Sequence, residues 1–307
     1  MKNRAGEIGR TTEDKLFDVI VFVILTFVFV IVAYPLWFVI IASISDPHAV
    51  ASGDVVLWPV SLTFDGYTEV FKTDTVMRGF LNSLFYTSVG IIISLAVTLP
   101  TAYALSRDDF YGRKPIMIFY LITMFVSGGL IPTYMVVMNL NMLNTVWALA
   151  IPGSITVFNL IVCRTFFKTN IPPELLEAAR MDGCGNGRFF FSIVLPLSAA
   201  IIAVQVLLVG VAHWNSFFSA LIYMTERVRW PLQLELRSIL IHNTMMHEAM
   251  GMIATTPEAI AERQRLADLM NMMRYSLIII ASIPVLILYP FVQKHFVKGV
   301  TFGSVKG

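Results

Sequence analysis

Long stretches without a formal charge constrain this chain more than any other feature. No Asp, Glu, Lys or Arg interrupts the 27 residues from Val19 to Ser45 or the 28 from Gly79 to Ser106. Each can cross a hydrocarbon core of about 30 Å, which takes about 20 helical residues. The run from Pro115 to Cys163 has 49, enough for two crossings if the polar knot Asn139-Leu-Asn-Met-Leu-Asn144 turns the chain between them. Phe189 to Thr225 adds 37 uncharged residues, and Tyr275 to Gln293 adds 19. The fold class expected is all-α: a polytopic integral membrane protein of about six transmembrane helices, near 17–43, 80–105, 115–138, 145–167, 189–223 and 275–293. These lie in one membrane domain, 17–297, with tails 1–16 and 298–307 and two larger connections, 169–188 and 226–274. The first run is too long for a secretory core of roughly 7–15 residues, so it is expected to stay as an anchor.

Composition agrees with this, since only 14% of residues are charged, against about 25% in a soluble domain. Lys and Arg then orient the chain, because they gather on the cytoplasmic side of short loops. Fourteen fall in the amino-terminal tail, the turn with Arg107, Arg113 and Lys114, the connection with Arg164, Lys168, Arg180 and Arg188, and the carboxy-terminal tail. The opposite side has Lys72, Arg78 and six more in the long Arg227–Arg274 loop, where charge counts for less. Both termini and the 169–188 connection are therefore expected in the cytoplasm, and 226–274 outside.

Several function classes fall away. A net charge of +2 is too small to suggest nucleic acid. No Gly-Lys dipeptide occurs, so no phosphate-cradling loop is available for ATP. The runs lack the buried acids and bases that proton-coupled pumps use, apart from His213, whose simpler reading is a helix-to-helix contact. Cys163 and Cys184 suit neither a zinc site nor a disulfide. The methionines around His242 and His247 could suit a soft metal, but read better as adaptable packing; no metal ligand is assigned. Thr255-Thr-Pro-Glu258 reads as a helix start. Pro35, Pro100, Pro196 and Pro284 are expected to kink their helices.

Against this oily background the segment Asn170-Ile-Pro-Pro-Glu-Leu-Leu-Glu-Ala-Ala-Arg-Met-Asp-Gly-Cys-Gly-Asn-Gly187 stands apart. Asn170 is expected as helix cap, the prolines in the first turn and Glu174 near the positive end of the dipole. A helix over 173–181 should stop at the glycines, which accept positive φ. A second helix should begin near Arg188 and run on as the fifth span. Ala178 and Ala179 should leave a smooth surface for a partner, Glu177 and Asp182 offer acceptors, and Leu175 and Leu176 pack inward.

Glu177-Ala178-Ala179, Gly183 after three intervening residues, and Ile193 and Leu195-Pro196 beyond it resemble the EAA signature of the membrane subunits of binding-protein-dependent ABC importers. The strings Asn82-Ser-Leu-Phe-Tyr86, Thr101-Ala-Tyr-Ala-Leu-Ser-Arg107, Phe125-Val-Ser-Gly-Gly-Leu-Ile-Pro-Thr-Tyr134, Trp214-Asn-Ser-Phe217 and Lys298–Gly307 are similar to the carbohydrate branch, within it the oligosaccharide or aldouronate-type permeases. The resemblance implies a type I importer permease without catalysis of its own, in a bacterial plasma membrane. It implies ATPase coupling through Glu177, Ala178, Ala179, Asp182 and Gly183. Its implied partners are a second permease, two cytoplasmic ATPase subunits holding ATP and Mg, and an extracellular solute-binding protein. Sugars have apolar C–H faces and many hydroxyls, so Trp214, Asn215, Tyr134 and Asn139 have suitable chemistry for the substrate path. The competing reading is an ion-coupled secondary carrier for a small polar solute, for which His213 alone speaks.

Overall fold

The computed structural model describes residues 11–241 and 272–290, together with Asp268, Met270 and Gln293. Lys2, Arg4, Arg10, the methionine-rich stretch with His242 and His247, Thr255–Glu258 and the 298–307 tail lie outside the described residues. Among the described residues the regular structure is helical throughout. The chain divides into two compact units, residues 1–70 with 245–280, and residues 71–244 with 281–307.

In the first unit α1 (Thr12–Ser43) starts at a reciprocal cap: the Thr11 amide donates to Asp14 at 2.9 Å, and the Asp14 amide to Thr11 Oγ1 at 3.2 Å. Pro35 sits inside this unbroken helix, and its buried residues are Ile41, Ala42 and Ser43. Next, α2 (Pro47–Ser52) begins at the Asp46 side chain and ends at Gly53 in the left-handed region. The following helix, α3 (Asp65–Lys72), places the Tyr67 hydroxyl 2.8 Å from Ser43 Oγ. Phe38 meets Tyr275 edge-on at 6.0 Å.

The second unit is organised on α4 (Asp74–Ser106), which buries Gly79, Ser83, Thr87, Gly90, Ser94 and Thr98 along one stripe. Small residues three or four apart let helix backbones approach closely, which is how helices associate where water supplies no driving force. After α4 come α5 (Arg113–Phe125), α6 (Leu130–Asn139), α7 (Val146–Ala150) and α8 (Val157–Asn170). Beyond the 173–181 helix, α10 (Asn186–Leu197) leads to α11 (Ala199–Trp214) and α12 (Phe218–Tyr223). Residues 232–241 are helical, and α13 is Met272–Pro290. Helix α4 packs against α7, α8 and α11. At Gly90 a methyl group would stand 2.6 Å from His213 Nε2 on α11, so the missing side chain makes room for the imidazole.

Three of the six expected spans are not single helices. Only α1, α4 and α13 are long and apolar enough to cross a membrane unaided, and counting two bent pairs as spans gives five among the described residues. The 115–138 span breaks into α5 and α6 at 116°, where Gly128-Gly129 lets the chain reach φ +83° at Gly129. The 145–167 span is interrupted by Pro152-Gly153, with Gly153 at φ +77°, which leaves α8 as 14 residues, about 21 Å. The 189–223 span bends by 80° between α10 and α11. Before that bend the chain widens into a π turn at Phe190–Val194, and Pro196, which lacks an amide proton, follows. Proline alone does not decide such breaks, since Pro100 sits inside unbroken α4.

Candidate functional site

The glycine-flanked polar segment folds as α9 (Pro173–Met181). Its N-cap is Pro172, at ψ 140°, with no side-chain cap. Asn170, expected to cap it, instead ends α8, its Nδ2 donating to the Phe166 carbonyl at 3.0 Å and to Thr169 Oγ1 at 2.9 Å. The physical reason is Pro173, which forces the residue before it into extended geometry and carries Asn170 away from the amides of α9. At the other end, the Cys184 amide donates to the Ala179 carbonyl at 2.8 Å and the Gly183 amide to the Arg180 carbonyl at 3.0 Å. With Gly183 at φ +71°, this is the paired closure that satisfies the last carbonyls of a helix and reverses the chain.

The two faces of α9 differ from the expectation. Ala179 is 7% exposed and joins the core formed by Tyr103 of α4, Phe167 of α8, and Phe189 and Phe190 of α10, with Leu176 packed against it. Leu175 is 39% exposed, and Met181 89%. The inward pair is thus Leu176 and Ala179, three residues apart on one helical face, while Leu175 and Ala178 turn outward. Glu177, Ala178, Met181, Asp182 and Gly183 are exposed together. Ala179 therefore anchors the helix to its own protein, and Met181 extends the outward face.

An ionic clamp holds α9 from behind. Arg107, just past α4, donates through Nε to Asp109 Oδ1 at 2.8 Å and through Nη2 to Oδ2 at 2.5 Å. Its Nη1 reaches Asn186 Oδ1 at the start of α10 at 2.8 Å. Arg180 of α9 donates to the same Asp109 Oδ2 at 2.6 Å. Asp109 thus ties the end of α4 to α9, and Arg107 ties it to α10. The Arg107 hydrogen bonds hold the Asp109 carboxyl well below the usual carboxylate range; burial opposes them, and the Arg180 hydrogen bond and both guanidinium charges add to the lowering. Clefts of about 440 and 290 Å³ flank this clamp. Sequence reasoning missed Asp109 because its partner Arg180 lies 71 positions away; the Arg107-Asp-Asp109 triplet carries no signal of that pairing.

The four substrate-path candidates do not form one group with α9, and none lines either cleft. Trp214 is buried, donates its indole N–H to the Ala281 carbonyl at 2.8 Å and meets Phe80 edge-on at 5.7 Å. Asn215 is exposed beside it, as the C-cap of α11. Tyr134 stacks on the buried Tyr223, ring centres 6.3 Å apart and planes within 10°. Asn139 is exposed at the last turn of α6.

A short helix braced on a helical membrane core matches a known family. The family described as "Binding-protein-dependent transport system inner membrane component" matches residues 76–302. The chain belongs to this family. It is a membrane-embedded permease subunit of an ABC transporter, and such subunits are not enzymes. The permease is similar to the polygalacturonan/rhamnogalacturonan transport system permease protein YtcP of Bacillus subtilis, at 39% identity over 96% of this chain and 100% of the relative. It is also similar to protein LplC of the same organism, at 37% identity over 97% of each. Among solved structures, the permease resembles a chain of a bacterial ABC transporter involved in the import of the acidic polysaccharide alginate. The TM-score is 0.83 and the identity 28%, over 94% of this chain and 100% of that one. The type I importer fold expected from the resemblance is thus the fold of this permease.

Proposed function

We propose that this permease forms half of the translocation path for an oligosaccharide and receives the work of ATP hydrolysis through α9. The observation that carries the reading is the division of α9 into a face locked in the core by Leu176 and Ala179 and a face left open by Glu177, Ala178, Met181, Asp182 and Gly183. A helix built this way can be gripped on one side without coming loose on the other. The proposed grip is by a cytoplasmic ATPase, one of two that hold ATP and Mg, with a second permease and an external solute-binding protein completing the importer. This places both termini in the cytoplasm.

Force arriving at α9 has two routes inward: the core contact at Ala179, and the clamp Arg180–Asp109–Arg107 to the end of α4. The route does not require a straight fifth span, because α10 bends from α11 and the core cluster links α9 to α4 and α8 directly. The oligosaccharide class is proposed from the relatives, whose names specify polygalacturonan and rhamnogalacturonan in one case and alginate in another. For the path itself, Tyr134 with its stacked partner Tyr223 and the exposed amides of Asn139 and Asn215 are proposed to meet the sugar. Trp214 is buried, with its one side-chain donor engaged by Ala281, so it is proposed to shape the path from behind Asn215.

The test is Glu177→Arg in the complete importer reconstituted in vesicles. Uptake should fall at least tenfold while the permease still inserts and folds; uptake at the wild-type rate overturns the coupling role of the open face.

A further inference from the structure

A second polar site lies beside the clamp, between the first turn of α5 and the last turns of α8. Arg113, Lys114, Arg164 and Lys168 line a cleft of about 300 Å³ whose remaining lining is Met117 and Ile118. Part of this charge is already used. Arg113 pairs with Asp108 and also donates to the Arg107 carbonyl at 3.3 Å, and Arg164 Nε donates to the Leu105 carbonyl at 3.0 Å. Among the described residues Asp108 is the carboxylate that faces the group; Arg113, then Lys168 and Arg164, hold its carboxyl below the usual range. Four cations against one carboxylate leave an excess of three positive charges. Lys114 and Lys168 are exposed and have no ion-pair or hydrogen-bond partner among the described residues.

The apolar side of the cleft continues as a surface. No residue of α5 is buried, and Ile118, Ile122 and Phe125 are exposed at 56%, 54% and 83%. Lys114, Ile118 and Ile122 stand four apart and Phe125 three further, so they follow one face from the charged end of α5 to its last residue. A cationic cleft opening onto an apolar track has the two chemistries of one molecule: a phosphate headgroup with an acyl chain.

We infer that the cleft between α5 and α8 binds a single anionic membrane lipid, its phosphate among Lys114, Lys168, Arg113 and Arg164 and one acyl chain along Ile118, Ile122 and Phe125. Charge complementarity and the joined apolar track select this occupant over a free anion, which has no use for the track. Basic pockets between membrane helices hold lipid headgroups in this way, each surface cation contributing about fivefold in affinity. The site stands on the membrane-embedded fold and does not depend on the coupling role of α9.

The test uses the full-length chain in detergent micelles titrated with phosphatidylglycerol, phosphatidylcholine and inorganic phosphate, with bound lipid counted by native mass spectrometry. Phosphatidylglycerol should saturate this site at one per chain, and Lys114→Gln with Lys168→Gln should weaken it roughly thirty-fold. Lys15→Gln, at the start of α1, should leave it unchanged. Equal retention of phosphatidylcholine, or unchanged binding in the double variant, overturns the proposal. Displacement by millimolar phosphate alone also overturns it, identifying a free-anion site. Ile118→Asn, which keeps every cation, should weaken the lipid and not inorganic phosphate; an equal effect on both removes the acyl track.

Discussion

Two long helices of nearly equal length, α1 with 32 residues and α4 with 33, are built on opposite plans. Along α1 no side chain is buried before Ile41, and Phe22, Leu25 and Phe29 are exposed. Along α4 glycine, serine and threonine form a buried stripe, and the helix closes on Leu99, Ala102 and Tyr103 at the core that holds α9. Both are apolar enough to cross a membrane, α1 the more so, but that does not say which face of either helix packs. What separates them is side-chain size on one face: bulky residues all round present a surface to lipid or a partner, while small ones allow neighbouring helices to close in.

The largest effect should come from filling the stripe. Gly90→Leu drives a side chain into the His213 imidazole and should cost about 3 kcal/mol by overpacking, read as lost thermal stability of the purified chain. If stability holds, the α4–α11 contact is looser than the packing implies. Next is Gly183→Val. Nothing stands within 4 Å of its added methyl, so the cost is the left-handed backbone alone, about 1–2 kcal/mol. Gly183→Asn should recover most of it, and equal loss in both would point to an outward contact in place of strain.

Under the proposed coupling, in which the clamp transmits motion and does not hold the fold, Asp109→Asn should lower uptake about tenfold with ATP hydrolysis continuing. Its three charged groups are partly exposed, and such pairs contribute only about 0.2–1 kcal/mol each. Since the folded carboxyl lies below its unfolded value, its stabilisation is fully present above a pH of about 4 and is lost only as pH falls through the depressed folded value. Coupled uptake should therefore show no Asp109 titration between about pH 5 and 8, and a midpoint there that vanishes in Asp109→Asn would break the assignment. The smallest effect belongs to α1. Phe22→Ala should move the stability of the isolated chain by no more than about 0.5 kcal/mol, yet weaken co-purification of a second permease if that subunit covers this face.

Much of the site was legible because its signals are local. Pro172-Pro173 and Gly183 bound α9 by backbone geometry, and Glu177-Ala178-Ala179 with Gly183 carried the family resemblance. The orientation of its two alanines was not legible: Ala178 and Ala179 are chemically alike, and only Tyr103, Phe167 and Phe189, from three other helices, decide which one turns inward. The breaks inside three of the six expected spans were hidden for a related reason. Uncharged length does not report whether Gly129, Gly153 or the turn before Pro196 will break a run, and Pro100 shows that the same residue type can sit in a continuous helix.

By itself the sequence determined the solvent, since so long an uncharged run has no stable place in water, and it determined the short polar helix with its proline start and glycine stop. The tertiary structure alone decided how that helix is held. Asp109 meets Arg180 across 71 residues, and Arg107 meets Asn186 across 79. Such pairings depend on where packed helices bring the chain back to itself, and no nearest-neighbour preference encodes them.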